Sequence, residues 1–450
     1  MRLAQSRLFA GAILALAVVL TTVAGPAAPG LGRSTNVVTP GSFRGFGFDQ
    51  CLAPSQRSMN RWLKQSPYLA VGIYISGASR GCRDQPNLTP RWISAQLTKG
   101  WRLLPITLGP QASCNPRFPR YGNDPVIVAK PGKNGRYPHA RRQGSAEAAS
   151  TVDAARALGI VGGSTLWYDL EGFDVTNSRC RESSLAFLST WTHELHAAGY
   201  VSGVYSSAGS GIKMLDDARV NRPGTFHLPD RIWIARWDGV GDTSTSYIRG
   251  AGWRPGNRMK QYVGGHDETW GGVRINIDRD FLNLGTPAAA AETHCAGVTV
   301  DLPTYRRIDR THSDRATVKA LQCLLTEQQV YAGRLNGRWS PATIAAANRW
   351  QTAHDLPARA VWTRRHWMTL LATGAHPVLK FGSTGSRVRA LQRTLLAADG
   401  HASVALNGVF AERTDAALRT WQHKLGLTST GVANPSTWKW LAAGQRGPIS

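Results

Sequence analysis

Between Phe43 and Leu284, short runs of β-branched and aromatic residues alternate with longer stretches in which apolar residues recur at helical spacing. The short runs predict eight strands: Arg44 to Asp49, Ala70 to Ser76, Trp101 to Leu108, Thr165 to Glu171, Val201 to Ser206, Arg231 to Trp237, Arg258 to Val263 and Val273 to Asp280. The clearest helices lie between them, from Ser145 to Leu158 and from Ser183 to Ala198, each followed by a glycine (Gly159, Gly199) suited to a left-handed C-cap. This alternation over ~240 residues predicts an α/β domain, a TIM-like (β/α)8 barrel spanning residues 43–285. The stretch from Gln111 to Gln143 breaks the rhythm with prolines, glycines and basic residues, and reads as a loop across the barrel mouth.

Past a Pro/Ala-rich break at Thr286 to Ala291, taken as the start of a linker over residues 286–310, the chain repeats itself. Leu321-Gln322 recurs as Leu391-Gln392, Asn336-Gly337 as Asn407-Gly408, Thr343 as Thr414, Trp350-Gln351 as Trp421-Gln422, and Trp367 as Trp438. The offset is 70 residues and then 71. Two small three-helix all-α units are predicted, over residues 311–374 and 380–444.

Charge and the N-terminus set the surroundings. Of 450 residues, 53 are Lys or Arg and 28 Asp or Glu, a formal net charge of +25 that anticipates an acidic polymer as neighbour. No RNP motif, zinc finger or basic zipper accompanies it, so nucleic acid is not expected as a partner and an anionic cell wall fits. Arg2 and Arg7 precede an apolar run from Leu8 to Leu20 and small residues at Ala24 and Ala27, the layout of a secretory signal peptide over residues 1–28. The run falls short of the ~20 residues of a membrane span. No stable membrane anchor is therefore expected after cleavage, and the absence of adjacent arginines favours general secretion. Export makes disulfides permissible for the six cysteines, with buried thiols as the alternative. If bridges form, Cys295 pairs with Cys323; the other four are left unassigned.

The chemistry concentrates at strand ends. Tyr168-Asp169-Leu170-Glu171 closes a strand with two carboxylates at i and i+2, which point the same way. Phe46-Gly47-Phe48-Asp49 ends the first strand similarly, and Ile275-Asn276-Ile277-Asp278 ends the last, its neighbour in a closed barrel. Asp49, Asp169, Glu171 and Asp278 would thus meet at the rim where barrels carry their sites. Paired acids of split pKa serve glycoside hydrolysis, although a sugar-binding site that cleaves nothing uses the same groups. Tyr74, Tyr205, Arg236, Trp237, Gln261 and Tyr262 are the candidate substrate-binding residues, aromatic faces being suited to sugar rings. No metal-ligand spacing and no GxSxG nucleophile occurs, so no cofactor and no metal is expected.

On Gly47-Phe48-Asp49, Tyr168-Asp169-Leu170-Glu171, Trp233-Ile234-Ala235-Arg236-Trp237, Gln261-Tyr262 and Ile277-Asp278, the barrel resembles the glycoside-hydrolase-like domain of unknown function 1906 family, related to family 25 lysozymes. That resemblance implies Glu171 as proton donor, Asp169 positioning an acetamido group or stabilising positive charge, and Asp49 and Asp278 lining the subsite of the cleaved sugar. The C-terminal units resemble type 1 peptidoglycan-binding domains, the second more closely, through Gly382-Ser383, Asn407-Gly408-Val409-Phe410, Trp421-Gln422 and Trp438. Asn407, Trp421 and Trp438 are its candidate ligand residues. In the first unit Trp339 replaces the usual Phe and Ala360-Val361-Trp362 replaces the last turn. The expectation is a secreted cell-wall glycosidase-like protein acting on N-acetylated peptidoglycan-type glycan, or a non-catalytic wall-glycan binder, with a barrel for another wall-associated polymer as a third reading.

Overall fold

The computed structural model describes residues 35–447 apart from 121, 287, 290 and 400–403; the signal peptide expected at residues 1–28 lies outside them. Its first part alternates β1 (Arg44–Asp49), α1 (Gln56–Gln65), β2 (Ala70–Ser76), α2 (Pro90–Thr98), β3 (Arg102–Thr107), β4 (Gln111–Ala112), β5 (Val126–Ile127), α3 (Pro138–Ala157), β6 (Thr165–Asp169), α4 (Ser178–Ala197), β7 (Val201–Ser207), α5 (Lys213–Asn221), β8 (Arg231–Ala235), β9 (Arg258–Trp270) and β10 (Val273–Asn283). Eight strands close a barrel in the order β1-β10-β9-β8-β7-β6-β3-β2. The helices end where expected: Gly159 and Gly199 adopt φ of 75° and 80°, open to glycine without a Cβ clash.

The barrel departs from eight parallel units at its closure. β10 runs antiparallel to both β9 and β1, so β9 and β10 form a long hairpin that projects past the barrel. Asp278 therefore lies within β10, at a register shift, instead of ending a parallel strand. It still meets Asp49, its partner across the β1–β10 ladder.

Two layers of core hold the barrel. Trp167, Trp233, Ile106 and Met259 fill its interior, while Trp62, Trp101, Phe187 and Trp191 pack between strands and helices. Three disulfides form, Cys51–Cys82, Cys114–Cys180 and Cys295–Cys323. The last is the pair expected from sequence. Cys114–Cys180 ties the turn-rich 111–143 stretch to the start of α4.

The remaining helices are α6 (Arg315–Glu327), α7 (Pro341–Ala353), α8 (Arg364–Leu371), α9 (Ser386–Asp399), α10 (Glu412–Lys424) and α11 (Pro435–Ala442), three per repeat. The later part of the expected linker is not loose: Val300, Leu302, Tyr305 and Ile308 are buried in the core of the helical repeats. The second repeat also packs on the barrel. Phe381 joins Phe46 and Phe281 in an edge-to-face cluster, Arg44 pairs with Glu412, and the fully buried Lys380 donates to three carbonyls, Leu63 (2.5 Å), Ser66 (2.6 Å) and Tyr68 (3.1 Å). No helix among the described residues is long and apolar enough to cross a membrane.

Candidate active site

The acids reach one mouth from three strands. β1 ends at Asp49 and β6 at Asp169, both at the C-terminal ends of parallel strands; Glu171 follows β6, and β10 delivers Asp278 beside Asp49. A cavity of about 460 Å³ opens there, with Asp49, Glu171 and Asp278 in its wall beside Tyr74, Arg80 and Asn276. Asp169 sits behind that wall, buried, and accepts a hydrogen bond from the Tyr74 hydroxyl at 3.2 Å. Its other oxygen, Oδ1, is buried without a hydrogen-bond partner among the described residues.

Burial at this mouth makes its three aspartates weaker acids. Burial, then the charge of Asp278, pushes Asp49 well above the usual carboxylate range. Burial, then the charge of Glu171, does the same to Asp169. Burial raises Asp278 to about 6 against a lowering hydrogen bond with Asp49. Together these groups retain protons at pH values where a lone aspartate is ionised.

Gln261 is the hub on the opposite side. Its Nε2 donates to Asp49 Oδ2 (2.9 Å), while its Oε1 accepts from the Tyr205 hydroxyl (3.0 Å) and from Trp237 Nε1 (2.9 Å). That bond fixes Trp237, which is 66 % exposed and whose ring lies over Gly264, where a Cβ would come within 2.6 Å of it. The result is an exposed, anchored aromatic plate near the acids, suited to stacking on a sugar ring.

Two expected ligand residues are not brought there. Tyr262, one residue along from Gln261, faces the other side of β9 and packs with Phe281 and Phe381. Arg236 turns outward to Asp238 and Ser246. In the second repeat Trp421 and Trp438 are buried, donating to the Gln445 and Pro377 carbonyls, so they build the repeat's core and cannot face a ligand. Asn407 spends its side-chain oxygen on Gln392 and the Val409 amide, shaping its own turn.

Other residues at the site were not singled out in the sequence. Arg120, from the turn-rich stretch, places Nη2 3.2 Å from Glu171 Oε1. Gln111 clamps the strand end, donating to the Asp169 carbonyl and accepting from the Glu171 amide. Asp280 lies fully buried below Asp49, held by Trp233 Nε1 at 2.9 Å and pushed well above its usual range by burial. Its i, i+2 spacing from Asp278 was the available signal. For a metal, the grouping found among the described residues is Cys295, Cys323 and Glu327, and its two sulfurs are joined in a disulfide.

Two family models match the chain. Residues 61–282 match the model of the Rv2525c-like, glycoside hydrolase-like domain, and residues 384–441 that of a peptidoglycan binding domain. Similar solved structures include an uncharacterized B. stearothermophilus protein (17% identity, 53% of this chain and 95% of that one, TM-score 0.32). Others are the Mycobacterium tuberculosis Tat-secreted protein Rv2525c (12%, 53% and 96%, 0.33) and the Clostridium perfringens spore cortex lytic enzyme SleM (15%, 56% and 72%, 0.35). No curated protein matches the chain.

Proposed function

For a chain that joins an Rv2525c-like, glycoside hydrolase-like domain to a peptidoglycan binding domain, and so has a cell-wall glycan-associated role, we propose that the barrel is a secreted wall glycosidase acting on N-acetylated glycan. The observation that carries this reading is the group of acids at the barrel mouth, with Glu171 exposed to the cavity and Asp169 buried directly behind it.

In this account Glu171 is the general acid and reaches the leaving oxygen from the cavity wall. Asp169, oriented by Tyr74, accepts the acetamido N–H or opposes the positive charge that develops on the sugar. Burial, then the charge of Glu171, holds the Asp169 carboxyl well above the usual carboxylate range. An ion-paired carboxylate cannot donate, so substrate must first displace Arg120 from Glu171. Asp49 and Asp278 line the adjoining subsite, and Trp237 supplies the stacking face. Disulfides and the N-terminal segment support export. A wall-held barrel acts at high local substrate concentration, so weak affinity in the cavity suffices.

The Arg120–Glu171 pair is also what favours a second reading, a barrel that binds glycan and leaves it intact. Incubating purified peptidoglycan with the wild-type protein and with Glu171→Gln separates the two. The hydrolase releases reducing ends that the variant does not; a binder sediments with the wall and releases none.

A further inference from the structure

The two repeats superimpose their own hydrogen bonds, which turns one into a control for the other. The bridge Ile308–Trp362 recurs as Leu379–Ala433, and the Trp367 indole bond to the Arg306 carbonyl recurs as Trp438 to Pro377. The Gln351 bond to the Val361 carbonyl recurs as Gln422 to Val432. Every pair is 71 residues apart, so side chains can be compared position by position. The first repeat has Arg306, Arg307, Arg359, Arg364 and His366 where the second has Pro377, Val378, Thr430, Pro435 and Thr437.

These five residues line two hollows that share Arg307. One, of about 560 Å³, is walled by Arg306, Arg307, His312 and Arg364; the other, of about 270 Å³, by Arg307, Arg359 and His366. The carboxylates nearby are occupied. Asp309 pairs with Arg307 and His312, and Asp314 caps α6 through the Thr317 amide. Arg306, Arg359 and Arg364 have no carboxylate partner among the described residues.

His366 marks the floor. It is 7 % exposed, and its Nδ1 accepts from the Thr363 amide (3.1 Å) and faces Gln351 Nε2 (3.3 Å). The ring proton is therefore on Nε2, which has no partner among the described residues while the ring lines the smaller hollow. Burial, then Arg365, lowers its pKa to about 4, so it remains a neutral N–H donor. In the second repeat Thr437 instead spends its hydroxyl on Val432 and Asn434.

We propose that this furrow of the first repeat is a binding site for a phosphodiester polymer of the cell wall, a function separate from the barrel and from the second repeat. Guanidinium forks from three chain segments match the paired non-bridging oxygens of a phosphodiester, and a neutral buried N–H adds a directional contact that bulk charge would not need. Two hollows that share Arg307 fit successive anionic groups on one strand. The site does not depend on whether the barrel cleaves anything.

The test is calorimetric titration of the disulfide-intact protein with synthetic poly(glycerol phosphate), at several salt concentrations. Arg359→Thr with Arg364→Gln should weaken binding about tenfold or more and flatten the salt dependence. His366→Thr, which leaves the net charge almost unchanged, should weaken it severalfold. Arg413→Gln with Lys439→Gln, in the second repeat, removes the same charge and should leave affinity within about twofold. Equal losses in both double variants, no loss in His366→Thr, no binding by the wild type, or equally tight binding of poly-glutamate would each overturn the proposal.

Discussion

Arg120 Nη2 lies 3.2 Å from Glu171 Oε1, an ion pair across the mouth of the acid cavity made by a residue from a turn-rich excursion 51 positions earlier. The pair is partly exposed, so it contributes no more than about 1 kcal/mol. If this pair must open before Glu171 can donate a proton, Arg120→Gln should raise turnover severalfold. Unchanged turnover in Arg120→Gln would mean that the ion pair does not restrain Glu171.

Trp237 is two-thirds exposed yet fixed through Gln261. Trp237→Ala should lower glycan affinity about tenfold, the usual loss for a stacking aromatic, with thermal stability unaltered. Gln261→Leu should weaken binding too, because it frees Trp237 and strips Asp49 of its donor. Titration with N-acetylated oligosaccharides, followed by tryptophan fluorescence, reads both.

Glu147 on α3 is half-buried and its pKa is pushed up to about 7, desolvation outweighing the nearby Arg80 charge. The folded state binds this proton more tightly than the unfolded chain, so stability is lost as pH rises from about 4.5 to 7. Glu147→Gln should match the wild type near pH 4 and exceed it by on the order of 2 kcal/mol at pH 7.5. Denaturant melts at the two pH values check the sign; a variant that gains nothing at pH 7.5 contradicts it.

Lys380 is fully buried beneath the second repeat, with its three carbonyl acceptors all in the segment from Leu63 to Tyr68. Lys380→Met would leave those carbonyls without their donor, a loss of about 2 kcal/mol or more. Calorimetry should then show the repeats melting apart from the barrel, where the wild type melts in one transition. A single unshifted transition in the variant would mean that the Phe46–Phe281–Phe381 cluster and the Arg44–Glu412 pair suffice to hold the two together.

The barrel was legible because strand and helix periods differ and because parallel strands end at their chemistry, as at Asp49 and Asp169. The antiparallel β10 was not, since alternation reads the same in either direction; the local signal was Gly271-Gly272, a two-residue hairpin turn with φ of 59° and 74° between β9 and β10. Asp278 was placed near Asp49 on the assumption of strand ends; a cross-strand register does it instead. Trp421 and Trp438 illustrate a different limit. A repeated tryptophan signals a repeated structural need, and here the need is a core indole bonded to a distant carbonyl. Arg120 and Lys380 escaped notice because each acts over a long chain separation, one from a loop and the other as a lysine buried where lysine rarely goes.

Release of reducing sugar from purified peptidoglycan, compared between the wild type and Glu171→Gln at equal amounts of wall-bound protein, decides whether Glu171 is the proton donor of a wall glycosidase. Turnover by the wild type and a loss of roughly 100-fold or more in the variant, the contribution of a general acid, are expected. Equal release by the two proteins would contradict the role of Glu171, and no release by the wild type would leave the barrel a glycan-binding module.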